Sequence, residues 1–95
     1  MLRVDARRMH AGVVELLVSG TLDIDRVPVL RHALDRASAE CHAVSLNLSG
    51  LVGVDRDGVA ALLDCSTHGT RLVDCPRFLR RWIRDERRSR IRGES

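Results

Sequence analysis

The chain has 95 residues, 16 basic against 13 acidic, for a formal net charge of +3. Every basic residue is Arg; without Lys there is no Schiff-base lysine, no P-loop lysine and no kinase-type ATP lysine. Phe78 and Trp82 are the only aromatics, too few to build a stacking platform for single-stranded nucleic acid, so no direct nucleic-acid role is expected.

Leu2 and Val4 alternate with Arg3 and Asp5, and Val14, Leu16 and Val18 with Glu15, Leu17 and Ser19. Met9-His10-Ala11-Gly12 lies between them as a turn, so the start reads as a β-hairpin. Gly20 to Asp23 reads as a loop, from which Asp23 or Asp25 can cap a helix with Pro28 in its first turn. Val27, Leu30, Leu34 and Ala37 mark one apolar helical face, and Arg31 and Asp35 can pair weakly outside it.

Val44, Leu46 and Leu48 alternate with Ser45, Asn47 and Ser49. A strand with one dry and one polar face implies a sheet covered mainly on one side. Gly50 to Gly53 reads as a loop. Asp55-Arg56-Asp57-Gly58 opens a second helix, with Val59, Leu62, Leu63 and Cys65 on its buried side and Gly69 closing it. Leu72 and Val73 make a short fourth strand, parallel to the third as in a βαβ unit. Pro76 suits the start of a third helix, with Phe78, Leu79, Trp82 and Ile83 as its apolar stripe. The predicted fold is α/β, a single domain with a mixed four-stranded sheet, helices mainly on one face, in the order ββαβαβα. Residues 1–84 form the domain, and residues 85–95 read as an Arg-rich tail expected to fray.

Motifs exclude more than they assign. Cys65 and His68 have C-x-x-H spacing, but a structural zinc site wants two close pairs, and Cys41, His42 and Cys75 lie elsewhere, so no metal is expected. There is no G-x-S-x-G elbow, and Gly50 and Gly53 alone are no dinucleotide fingerprint; neither an enzyme nor a cofactor is expected. No apolar run approaches a membrane span, and Arg3, Asp5, Arg7 and Arg8 interrupt the place of a secretory leader. Three cysteines are read as free thiols in a reducing cytoplasm. Charge is uneven: residues 1–76 carry a net −2 and residues 77–95 a net +5. The Arg-rich end could meet phosphates, yet Arg81 with Asp85 and Glu86 with Arg90 are i,i+4 pairs expected to neutralise one another.

Asp55 and Asp57 stand at a helix N-terminus, where capping and the helix dipole favour carboxylates by about 0.3–1 kcal/mol each. The same stretch carries a resemblance. Val18-Ser19-Gly20-Thr21-Leu22-Asp23 is similar to a "GELD"-type loop. Leu46-Asn47-Leu48-Ser49-Gly50-Leu51, leading to Asp55-Arg56-Asp57-Gly58-Val59, is similar to an "LDLS…DSSG" strand-to-helix junction. Both motifs, at this spacing, belong to STAS domains, the fold of bacterial anti-sigma factor antagonists and of the cytosolic ends of sulfate transporters. The resemblance covers residues 2–84 and is to a short form, with no counterpart of the family's last strand and helix after Ile83.

The resemblance implies a non-enzymatic interaction module that binds an anti-sigma factor with a histidine-kinase-like ATPase fold. Its contact residues would be Thr21, Asp23, Asp55, Arg56, Asp57, Gly58 and Val59. In such antagonists a Ser of "DSSG" is phosphorylated by the partner; here that position is Asp57, which no serine kinase can phosphorylate. A carboxylate brings one charge where a phosphate brings about −1.5 to −2. Asp57 therefore either holds the protein in a weak-binding form or meets an adapted partner constitutively, with Arg56 beside it to offset the charge. The alternative is a small STAS subunit docking the ATPase of an ABC-type lipid transporter. A weak homodimer is left open.

Overall fold

The structure is a computed structural model and describes residues 1–91. In chain order it has β1 (Leu2–His10), β2 (Val13–Leu22), α1 (Val27–Glu40), β3 (Ala43–Val54), α2 (Arg56–Thr67), β4 (Arg71–Val73) and α3 (Arg77–Ile91). The sheet order is β1-β2-β3-β4, with β1 antiparallel to β2 and both β2–β3 and β3–β4 parallel. The order, the strand count and the mixed sheet are as the sequence predicts.

Alternation decides which face is dry. Val14, Leu16 and Val18 of β2 and Leu46 and Leu48 of β3 are buried under the helices, where they meet Leu30 and Leu34 of α1 and Val59, Leu62 and Leu63 of α2. Each such side chain, fully buried, is worth about 1.5–3 kcal/mol. Leu79 and Ile83 bring α3 into the same core, against α2. The opposite face carries Arg7, Glu15 and Asn47. Glu15 is buried there by its ion pair with Arg7, and Asn47 donates from Nδ2 to Asp74 Oδ2 at 3.2 Å. Asp74 sits at a φ of +52°, so this bond holds a non-glycine residue in the left-handed region where the chain leaves β4.

Several boundaries differ from the sequence reading. The predicted loops at Gly20–Asp23 and Gly50–Gly53 are largely strand: β2 runs to Leu22 and β3 to Val54, paired to each other through register shifts after Leu17 and after Gly20. Bulges let a strand carry glycines and still keep its ladder. Neither Asp23 nor Asp25 is the N-cap of α1. Arg26 holds that place without a side-chain cap, and Asp23 Oδ1 accepts from its amide at 3.1 Å one turn earlier. Phe78 leaves the predicted apolar stripe and is 47% exposed.

The third helix does not end at Arg84 but continues through Ile91. Polar contacts to α2 hold the added turns: Arg90 Nη1 lies 3.0 Å from Asp64 Oδ1, Arg87 Nη2 donates to Ser66 Oγ at 3.4 Å, and Arg56 faces Glu86 at 3.8 Å. Residues 92–95 of the expected tail lie outside the described residues. The helix surface also pairs differently from the prediction. Arg31 turns to Asp64 of α2 at 3.8 Å rather than to Asp35. Arg90 and Glu86 each choose α2 over one another, and Arg81 and Asp85 form no pair among the described residues.

Gly58 is the tightest joint between layers. A Cβ there would lie 2.5 Å from the Leu22 carbonyl oxygen and 2.8 Å from Val54 Cγ1. Backbone cannot yield as a flexible side chain can, so Gly58→Ala should destabilise the fold by about 2 kcal/mol. Urea unfolding followed by circular dichroism would measure this; a variant as stable as the parent would show that α2 can back away from β2.

Candidate functional site

The carboxyl ends of β2 and β3 and the amino ends of α1 and α2 meet at one end of the sheet. Asp55 organises that end. Its extended backbone makes it the N-cap of α2, where Oδ1 accepts from the Gly58 amide at 2.8 Å. Its other oxygen, Oδ2, accepts from the Ile24 amide at 3.1 Å, and its own amide donates to the Leu22 carbonyl at 3.1 Å. One carboxylate thus caps a helix and fixes the β2–α1 connection against it. Asp23 closes that connection: its carbonyl accepts from the Arg26 and Val27 amides, both at 3.0 Å.

The residues named from the sequence divide into those that shape this end and those that face outward. Gly58 and Val59 are buried, so neither presents a side chain to a partner. Both pack in the joint between α2 and β2. Asp55 and Asp23 spend their carboxylates on backbone amides. Thr21 is half-buried, with its hydroxyl beside Gly53 of β3. Arg56 and Asp57 are exposed. Arg56 does not fold over Asp57 but faces Glu86 of α3. Asp57 follows Arg56 in the first turn of α2 and has no hydrogen-bond or ion-pair partner among the described residues. Its carboxylate stands at the positive end of the helix dipole, open to solvent.

Two apolar side chains at this end were not singled out from the sequence. Ile24 is 58% exposed and Val52 79% exposed. Ile24 lies between Asp23 and Asp25 in the connection that Asp55 holds, and Val52 lies in the last turn-ward stretch of β3, two residues before Val54. The available signal was local: each is a β-branched residue where the pattern calls for a polar one. Together with Asp57 they are exposed side chains of the segments that lead into this end, two apolar and one negative. Such a surface can dock a protein; it holds no nucleophile activated by a base.

All three cysteines are free. Burial pushes the Cys65 thiol up, opposed in part by Arg31, and burial likewise pushes up Cys75, opposed by Arg80. A raised thiol carries less thiolate at neutral pH and is a poorer nucleophile. Among the described residues no three or more His, Cys, Asp or Glu side chains gather as a metal would require, and no helix is long and apolar enough to cross a membrane.

No protein-family model matches the sequence, and neither does any curated protein. Solved structures do match. The anti-sigma factor antagonist SpoIIAA in its unphosphorylated form superposes with a TM-score of 0.65 at 19% identity, over 96% of this chain and 99% of that one. An anti-sigma factor antagonist from Mycobacterium paratuberculosis gives 0.63 at 21% identity, over 76% of this chain and 64% of that one. The Bacillus cell fate determinant SpoIIAA in its phosphorylated form gives 0.64 at 16% identity, over 88% and 83%. The fold is therefore the STAS-like fold of the anti-sigma factor antagonists. At these identities the likeness is one of fold.

Asp55→Ala removes a cap and the anchor of Ile24 together. It should cost about 1–2 kcal/mol of stability, and hydrogen exchange should quicken at the Ile24 and Gly58 amides while the Leu46 amide keeps its protection. Iodoacetamide at neutral pH should label Cys65 and Cys75 more slowly than it labels free cysteine, as read by mass spectrometry of the intact protein. Labelling at the rate of free cysteine would contradict the buried, raised thiols.

Proposed function

We propose that this chain is a protein-interaction module of the anti-sigma factor antagonist type. On this reading it docks an anti-sigma factor with a histidine-kinase-like ATPase fold, and thereby acts on transcription. The observation that carries the reading is the first turn of α2. Asp55 holds it against the β2–α1 connection, and it presents Asp57 outward, while Ile24 in that connection and Val52 of β3 are exposed. The contact surface is Asp57, Arg56, Ile24 and Val52. Asp55, Asp23, Gly58 and Val59 support it from behind.

Asp57 occupies the place of the phosphorylatable Ser in the resembling motif. A phosphate there would be met by the free amides of the helix end and its dipole. Asp57 supplies one fixed charge instead. The partner then lacks a means of switching this site by phosphorylation, and contact is constitutive with a partner adapted to a carboxylate. The other reading, a small STAS subunit on the ATPase of an ABC-type lipid transporter, is favoured by the same absent hydroxyl.

Affinity capture of the tagged protein from its host lysate, with ADP or ATP present, separates the two. Recovery of a small histidine-kinase-like ATPase is the expected result; recovery of an ABC ATPase with membrane subunits would replace it. Titration of the captured partner with the parent, Asp57→Ser and Asp57→Ala should then give unequal affinities. For an adapted partner, both substitutions weaken binding about tenfold, the value of a charge-assisted hydrogen bond of about 1.5 kcal/mol. Equal affinity for all three would remove Asp57 from the contact.

A further inference from the structure

Among the described residues, strand β1 pairs with β2 alone, and its other edge is free along nine residues. Natural sheets seldom leave so long an edge unprotected. The alternation of the ladder tells which residues turn their amides to that edge. The Thr21 amide donates to the Met1 carbonyl at 2.7 Å, and Leu2 stands opposite Gly20. Odd-numbered residues of β1 therefore bond to β2, while Leu2, Val4, Ala6 and Arg8 point their N–H and C=O groups outward.

The two faces beside this edge differ in character. On the face without helices, Arg3 and Asp5 are exposed and form an ion pair of 2.9 Å within the strand. On the helical face, Val4 and Ala6 open into a groove of about 390 Å³ between β1 and α1, lined by Val14 and Leu16 and by the charged Arg8, Arg36 and Glu40. An unpaired edge with a part-apolar groove on one side and opposite charges on the other suits an occupant with the same features.

We propose that the occupant is a second copy of this chain, whose β1 pairs antiparallel with this one about a two-fold axis at Val4. The two four-stranded sheets then become one of eight strands. Outward-facing residues must meet outward-facing residues, which centres the axis on a residue; within the regular register from Leu2 to Arg8 the central choices are Val4, Asp5 and Ala6. An axis at Asp5 sets Asp5 against Asp5 and Arg3 against Arg7, like against like. An axis at Ala6 sets Val4 against Arg8, an apolar side chain against a charge, and runs into the register shift between Arg8 and His10. The axis at Val4 sets Arg3 of each copy against Asp5 of the other in non-hydrogen-bonded pairs, where side chains approach most closely. It also sets Leu2 against Ala6, and Val4 against Val4, at the mouths of the two grooves. The contact is isologous, as a two-fold pair must be, and short. Its dimer is accordingly weak and concentration-dependent.

Sedimentation velocity over a concentration series tests this with charge reversal. The parent should pass from monomer to dimer as concentration rises. Asp5→Arg places Arg against Arg twice and should weaken association about tenfold or more. The double variant Arg3→Asp/Asp5→Arg restores opposite pairs with the signs exchanged and should dimerise like the parent. Circular dichroism and thermal melting confirm that each variant is folded. In the parent, hydrogen exchange at the Val4 and Ala6 amides should slow with concentration, a readout that needs no variant. A parent that stays monomeric, an Asp5→Arg variant that dimerises undiminished, a double variant that fails to recover, or edge amides indifferent to concentration would each overturn the proposal.

Discussion

The first turn of α2 is held by a single carboxylate that answers to two elements at once. Asp55 accepts from Gly58 in its own helix and from Ile24 in the preceding connection, and its amide returns a bond to Leu22. None of these bonds would form if α2 stood farther from β2, and it stands this close because Gly58 has no Cβ. The glycine permits the approach and the aspartate fixes it. The core leucines under α2, Leu62 and Leu63, then bury completely or nearly so because their helix is seated at its start.

This arrangement explains why the residues of one short motif play unlike parts. Asp55, Gly58 and Val59 face inward or are spent on backbone, and Arg56 and Asp57 face out. A helix turns 100° per residue, so five consecutive positions must span both the core and the solvent. A motif that is uniform in sequence cannot be uniform in role. Of the outward pair, Asp57 has no partner among the described residues and can change with least cost to the fold, while Arg56 faces Glu86 of α3.

Much of the architecture was legible from the chain. Period-two alternation in Val14–Val18 and Val44–Ser49 and period-3.6 spacing in Val27–Ala37 located the strands and the first helix, because each pattern reports which atoms must leave water. What escaped depended on contacts between distant segments. The glycines at 50 and 53 read as a loop, yet bulged pairing to Ser19 and Thr21 keeps them in a strand. Arg87 and Arg90 lay in a stretch read as a fraying tail, with Arg90 paired to Glu86, yet Ser66 and Asp64 on α2 meet them along the extended third helix. The pairings of Glu86 and Arg31 likewise went to neighbours on other elements rather than along their own helix. At the site, Asp55 as a cap was visible in the sequence, but its second oxygen's bond to Ile24, and hence the exposure of Ile24, was not.

Asp57 has one further consequence. Phosphate on a serine is written after synthesis and can be erased, so a molecule bearing it carries a record of recent events. A carboxylate built into the chain keeps no such record: every copy leaves the ribosome in the same state and stays in it. If this turn is the surface that meets a partner, information enters the system through how many copies exist, set by synthesis and degradation, or through the state of the partner. The responsive component would then be a dose and not a switch.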